Sequence, residues 1–175
     1  MARMDEPSDN QGERVRTLDM EIAVMKHFGI VQSLIVPNVS WGISGLHECD
    51  ILALSKAGYA TEIEIKISKA DLKADKKKTH GHRHGHIARL YFAVPSFLKQ
   101  EALEEIPERA GLLVAVMSEY NSQEIIGLSE EKPCKRNSEA HQWTDLERSN
   151  LGRLGAMRIL GLKEIISTYI KKEKH

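Results

Sequence analysis

The chain has 175 residues, 41% of them apolar and 29% charged, with 25 Lys and Arg against 25 Asp and Glu. That length suits one soluble domain with a sizeable core, and a net charge of zero excludes global basicity as a route to nucleic acid, so any such surface must be local. Two cysteines, Cys49 and Cys134, offer neither a disulfide framework nor a zinc pattern and read as free thiols of a reducing compartment. No run of about 18 apolar residues suggests a membrane span, and the polar stretch 1–16 lacks the apolar segment of a secretory signal, which predicts a cytoplasmic protein.

In chain order, residues 1–16 read as a flexible tail and 17–175 as a single domain. Thr17 is expected to cap a helix ending at Phe28 before Gly29, with Leu18, Ile22 and Met25 as its buried stripe. Strands are predicted over 32–39, 47–54 and 59–67, with turns at 41–46 and 56–58. Ser68 should cap a short basic helix, about 69–77, and a Gly- and His-rich loop covers 79–86. A strand over 87–94, a helix over 96–105 closed by Pro107, and a strand over 111–117 come next. The nearly unbroken apolar run of the last suits a strand buried on both faces. A short edge strand over 123–128, a polar loop over 129–142 and a C-terminal helix over 143–170, with possible breaks at Gly152, Gly155 or Gly161, complete the pattern. The predicted class is α/β, a mixed central sheet flanked by helices.

Chemistry concentrates between Asp50 and Lys66. Asp50 interrupts an apolar strand, sharing a face with Leu52 and Leu54. On the following strand Glu62, Glu64 and Lys66 share one face, while Ile63, Ile65 and Ile67 share the other and go to the core. The acidic face is either solvated or a site. A carboxylate among apolar neighbours demands a cation, which favours a site for Asp50. On a wheel of about 100° per residue, Glu21 falls between Phe28 and Met25, facing inward, whereas Asp19 faces water. Glu21 is therefore either a further acid of the site or a rim residue.

The helix, the Asp50 strand, the Glu64-Ile65-Lys66 strand and the elements after them resemble the PD-(D/E)xK nuclease superfamily. Asp50 matches the motif's Asp, Glu64 its second acid, Lys66 its lysine and Glu21 the extra helix acid of many members; Cys49 stands in place of the proline. Three segments, Glu62 to Lys76, Arg89 to Pro95 and Ile106 to Val114, are similar to the MmcB-like DNA-repair nuclease family, with likeness spanning about 45–117. The sequence departs from that family over Lys77 to His86, where an aromatic-containing segment is expected.

The resemblance implies a restriction endonuclease-like αβββαβ core and a nuclease that hydrolyses DNA phosphodiester bonds with one or two Mg²⁺ or Mn²⁺ ions. Asp50, Glu64 and Glu21 would hold the metal, the Ile65 carbonyl would complete its shell, and Lys66 would position the attacking water and offset charge on the phosphate. RNA stays open as a substrate, as does a homodimer. The rival reading is a catalytically inactive module of the same fold that binds DNA or a protein.

From Lys66 to Arg89 eight Lys or Arg face two Asp, a local charge of +6. Lys69, Lys73, Lys76 and Lys77 recur at helical spacing, and with His80, His82 and Arg83 they are the candidate phosphate-binding groups; a solvated basic helix is the alternative. His80, His82, His84 and His86 alternate along the loop, which allows zinc binding or phosphate contact as well as a plain polar loop.

Overall fold

The computed structural model describes residues 15–39, 46–75, 85–120 and 123–172. Six strands form one sheet in the order β1 (Ser33–Val39), β2 (Cys49–Ser55), β3 (Ala60–Ile65), β4 (Ile87–Val94), β5 (Gly111–Tyr120) and β6 (Gln123–Lys132). β1, β2 and β3 pair antiparallel, β3, β4 and β5 pair parallel, and β6 returns antiparallel to β5. The parallel steps are made by crossovers carrying α2 (Lys69–Asp75) and, after a single 3₁₀ turn at Ser96–Leu98, α3 (Lys99–Glu105). The chain opens with α1 (Thr17–Phe28) and closes with α4 (Asp145–Lys172). This is the mixed sheet flanked by helices that the pattern predicts.

Both faces of the sheet are covered. On one, Met20 and Val24 of α1 pack on Ile51, Ala53, Ile63 and Ile65. On the other, Leu151 and Leu154 of α4, with Trp143, cover Val36, Leu52 and Leu54, while Leu72 of α2 and Leu98 and Ala102 of the α3 segment cover Leu90, Phe92 and Leu112. β3 lies between the two apolar clusters of that second face. Its Glu62 and Glu64 fill the seam and are 0% and 1% exposed. The strand that alternates acid and isoleucine is thus buried over its whole length.

Several local expectations change. The buried stripe of α1 is Met20, Ala23 and Val24; Leu18 and Ile22 are exposed, because the helix turns its Met20 side to the sheet. Arg16, not Thr17, is the N-cap residue, and the Asp19 carboxylate accepts the Arg16 backbone N–H at 3.1 Å. Gly29 does end the helix, at the positive φ of 70° that a residue without Cβ adopts without strain. Ser68 caps α2 as expected, its hydroxyl accepting from the Asp71 N–H at 3.1 Å. β3 stops at Ile65, and β6 runs on to Lys132 through part of the predicted loop. α4 is unbroken from Asp145 to Lys172. Gly155 serves packing there, since a Cβ on it would come within 3.2 Å of a Val36 methyl. Of the predicted turn at 41–46 only Leu46 is among the described residues, and the first 14 residues lie outside them.

Candidate active site

Strand register assembles the acids. Leu52 lies opposite Glu62 and Ile51 opposite Ile63, so Asp50 comes level with Glu64 at one end of the β2–β3 pair. The Ile65 backbone N–H donates to Asp50 Oδ2 at 2.8 Å, which fixes that carboxylate against the last residue of β3. Lys66 is the next residue on the Glu64 face. Its Nζ donates to Glu64 Oε2 at 2.7 Å and lies 3.7 Å from Asp50 Oδ2. The side chains of Glu64 and Lys66 are 1% and 6% exposed, that of Asp50 40%. The site is therefore a buried Glu–Lys pair opening to solvent through Asp50.

Glu21 joins from α1. Its carboxyl is half-buried and held above the usual glutamate range, first by burial and then by the Asp50 charge, against a hydrogen bond with Asn38. Asn38 sits at the end of β1 with φ of 52°, a left-handed conformation that Asn tolerates better than most residues. Asp50, Glu64 and Lys66 are thus brought together, and Glu21 comes near enough to Asp50 to feel its charge. The donors are hard carboxylate oxygens, which suit Mg²⁺ or Mn²⁺. The Lys66 ammonium lies between two of those carboxylates and stands in for part of the charge a divalent cation would bring.

Because Glu21 is harder to ionise in the fold than in the open chain, its charge costs stability at neutral pH, and that cost fades as pH falls and Glu21 takes up its proton. Glu21→Gln is accordingly expected to raise the urea midpoint at pH 7, with the gap over wild type closing towards pH 4. An equal gap at both pH values would show that Glu21 carries no such strain.

One neighbour was not singled out in the sequence. His47 Nε2 lies 2.7 Å from Glu62 Oε1, giving the second buried acid of β3 its own partner. No local motif flags it, because the two are 15 residues apart and meet only through the β2–β3 pairing.

The basic segment is less simple than its charge suggests. Lys69 is exposed at the start of α2 but forms an ion pair with Glu101 of α3, and this contact holds the Glu101 carboxyl below its ordinary range. Lys73 is exposed. Lys76, Lys77, His80, His82 and Arg83 lie outside the described residues. On α4, Arg148 and Arg158 donate to the backbone carbonyls of Ser55 and Asn38, which ties them to the sheet. Tyr91 is half-buried, with its hydroxyl donating to Glu130 Oε1 at 2.8 Å, and Phe92 is in the core.

A mixed six-stranded sheet, covered by helices on both faces and carrying a convergent set of carboxylates and a buried lysine at one end, defines an α/β protein with a polar site built into its core. The sequence matches the DNA repair protein MmcB-like family over residues 5–163, well beyond the 45–117 carried by the motifs. The chain belongs to that family, which associates it with DNA repair. No curated protein matches it. Its structure is similar to that of a protein of unknown function from Silicibacter pomeroyi, with a TM-score of 0.55 and 21% identity over 96% of this chain and 97% of the other. That likeness extends to the fold. No helix among the described residues is long and apolar enough to cross a membrane.

Proposed function

We propose that the chain is a cytoplasmic, Mg²⁺- or Mn²⁺-dependent nuclease that hydrolyses DNA phosphodiester bonds, built on the PD-(D/E)xK plan. The observation that carries this reading is the convergence of Asp50 and Glu64 on the buried Lys66 ammonium. A hydrogen bond between neighbouring side chains is common, but burying a Glu–Lys ion pair is costly unless the arrangement serves a purpose, and here the pair opens onto the half-exposed Asp50. Asp50, Glu64 and Glu21 would hold the ion. Held by these carboxylates, such an ion would supply a Lewis acid for the phosphate and a lowered pKa for a bound water. The chain's own share is positional. Asp50, clamped by the Ile65 N–H, presents its outer edge to solvent, where a phosphate can approach. Lys66 supplies a fixed positive charge beside the reacting phosphoryl oxygens. Exposed Lys73, with Lys76, Lys77, His80, His82 and Arg83 beyond it, would grip the backbone and make binding weaken with salt.

The test is cleavage of labelled single-stranded, duplex, flapped and abasic DNA, with an RNA control, in Mg²⁺ or Mn²⁺ and in EDTA. Metal-dependent cutting supports the reading and names the substrate. The same observation also favours a second reading, an inactive module, because Lys66 neutralises Glu64 without any metal. DNA binding with no cutting, and no Mn²⁺ uptake by calorimetry, would decide for the module.

The reading includes a homodimer. Beyond Leu154, α4 carries Ile159, Leu162, Ile165, Ile166, Tyr169 and Ile170 along one side, each more than half exposed. At about 100 Å² apiece, a symmetric pair would bury on the order of 1,200 Å², near the lower bound of stable interfaces. Ile166→Glu should turn a dimer into a monomer in sedimentation velocity; a wild-type monomer at ~100 μM would remove the dimer, since interfaces of that class hold together at such concentrations.

A further inference from the structure

We propose that His86, His141 and Glu147 form a second metal site, for one Zn²⁺-class cation, separate from the Asp50–Glu64 cluster. Among the described residues these three side chains bring one ligand atom each to within 4.8 Å of one another. His86 Nε2 is 2.7 Å from Glu147 Oε1, and His141 Nε2 is 3.6 Å from the same oxygen. The two imidazole rings are 4.3 Å apart, centre to centre, and inclined at 73°. Metal–ligand bonds of about 2.0–2.1 Å in a tetrahedral arrangement place ligand atoms roughly 3.3 Å apart. The two contacts to Glu147 Oε1 are within an ångström of that spacing, and a cation entering the cluster displaces the proton held between His86 and Glu147.

The ligands are anchored as a metal site requires. Glu147 Oε2 accepts from both the N–H and the hydroxyl of Thr144, at 2.7 and 2.8 Å, in a capping box at the start of α4. That commits one carboxylate oxygen to the helix and leaves Oε1 facing the imidazoles. Burial works against ionising Glu147, yet the Thr144 and His86 hydrogen bonds outweigh it and hold its carboxyl at about 2, so the ligand is an anion at neutral pH. The backbone around the histidines is stapled as well. Trp143 Nε1 donates to the His86 carbonyl at 2.8 Å, and the His141 N–H donates to the Gly85 carbonyl at 3.0 Å. Hydrogen-bonded outer partners of this kind orient metal ligands.

Two imidazoles and one carboxylate select a borderline cation such as Zn²⁺ or Co²⁺ over Mg²⁺ and leave a fourth position for water. The place in the fold separates this site from the carboxylates. His86 immediately precedes Ile87, the residue of β4 paired with Ala60 at the start of β3, whereas Glu64 lies towards the far end of β3 and Lys66 just beyond it. At about 3.3 Å per residue the two sites are on the order of 15 Å apart. A cation here would clamp the entry of β4 to the entry of α4, so its binding energy would add to folding energy. The histidine-rich segment contributes His86 to the cluster. Its partners lie 55 and 61 residues downstream, where no sequence spacing reveals them.

The experiment is titration of the full chain with Co²⁺ and then Zn²⁺, read by the visible absorption of tetrahedral cobalt, by quenching of Trp143, whose ring centre is 5.9 Å from that of His86, in a Trp41→Phe background, and by thermal melting. One ion per chain at micromolar affinity or tighter is expected, with a Zn²⁺-dependent rise in melting temperature. His141→Ala, at a half-exposed position, should keep the fold and weaken binding at least ~100-fold. Asp50→Asn and a His80→Ala/His82→Ala/His84→Ala variant should bind as wild type does. Absence of uptake by the wild type, unchanged affinity in His141→Ala, or loss of binding in the triple variant would each overturn the site.

Discussion

Asp50→Asn is expected to lower metal-dependent DNA cleavage by on the order of 10³-fold or more while the protein stays folded. An anionic ligand contributes several kcal/mol to holding and positioning a catalytic cation, and each 1.36 kcal/mol is tenfold in rate. The fold should survive because the amide introduced by Asp50→Asn keeps the shape of the carboxylate, and its carbonyl oxygen can still accept from the Ile65 N–H that now reaches Asp50 Oδ2 at 2.8 Å. Asp50 is also the most open member of the site, at 40% side-chain exposure, so losing its charge strands little in the interior. Removing that charge also relieves Glu21, whose carboxyl Asp50 helps to hold up. Single-turnover rates beside far-ultraviolet circular dichroism and thermal melts make the check. An Asp50→Asn variant that cuts as fast as wild type ends the proposed mechanism.

Lys66→Ala is expected to behave differently from Asp50→Asn. In the fold Lys66 is nearly as buried as its partner Glu64, and their charged ends are 2.7 Å apart. Truncating one member of a buried pair leaves the other uncompensated, at a typical cost of about 3–5 kcal/mol. Such a loss is comparable to much of the stability of an ordinary domain. Lys66→Ala should therefore be inactive and also strongly destabilised. Two further results follow from the same physics. The double variant Lys66→Met/Glu64→Gln should recover most of the stability and none of the activity, because it removes both charges together. Mn²⁺ should raise the melting temperature of Lys66→Ala more than that of wild type, because the cation replaces the missing ammonium beside Glu64. Equal stability of Lys66→Ala and wild type in urea, with no added response to Mn²⁺, would show that the pair is not a buried electrostatic unit.

Both predictions depend on something periodicity could not decide. Alternation along Thr61 to Ile67 separates an acidic face from an isoleucine face, and that separation holds. Whether the acidic face meets water depends on what lies across it. α4, starting some 80 residues later, covers the β1–β2 side, and α2 with α3 covers the β4–β5 side, so Glu62 and Glu64 are closed in between two apolar clusters. A strand that reads as half polar is buried on both faces because its polar residues have partners, Lys66 and His47, supplied by the segments just after β3 and just before β2.

α1 shows the opposite limit. Its cap, Arg16, lies one residue ahead of the expected Thr17, but its end at Phe28, with Gly29 after it, follows from local propensity and matches the prediction. Its buried side does not, because Leu18, Ile22 and Met25 form as plausible a stripe as Met20, Ala23 and Val24, and only contact with Ile51, Ile63 and Ile65 chooses between them. Glu21 lies near the edge of either stripe, so its inward placement survived the error.

What the sequence by itself determined is therefore local or set by short-range periodicity. This covers the order of the elements, the ends of most of them, the faces of β2 and β3, and the shared face of Glu62, Glu64 and Lys66, since a strand's side-chain period and a helix's caps depend only on near neighbours. Tertiary structure alone decided the burial of the acids, the pairing of His47 with Glu62, the engagement of Lys69 by Glu101, and the meeting of His86 with His141 and Glu147. Each of these joins residues 15 or more positions apart, and their energies come from desolvation and charge pairing, which exist only once the layers have packed.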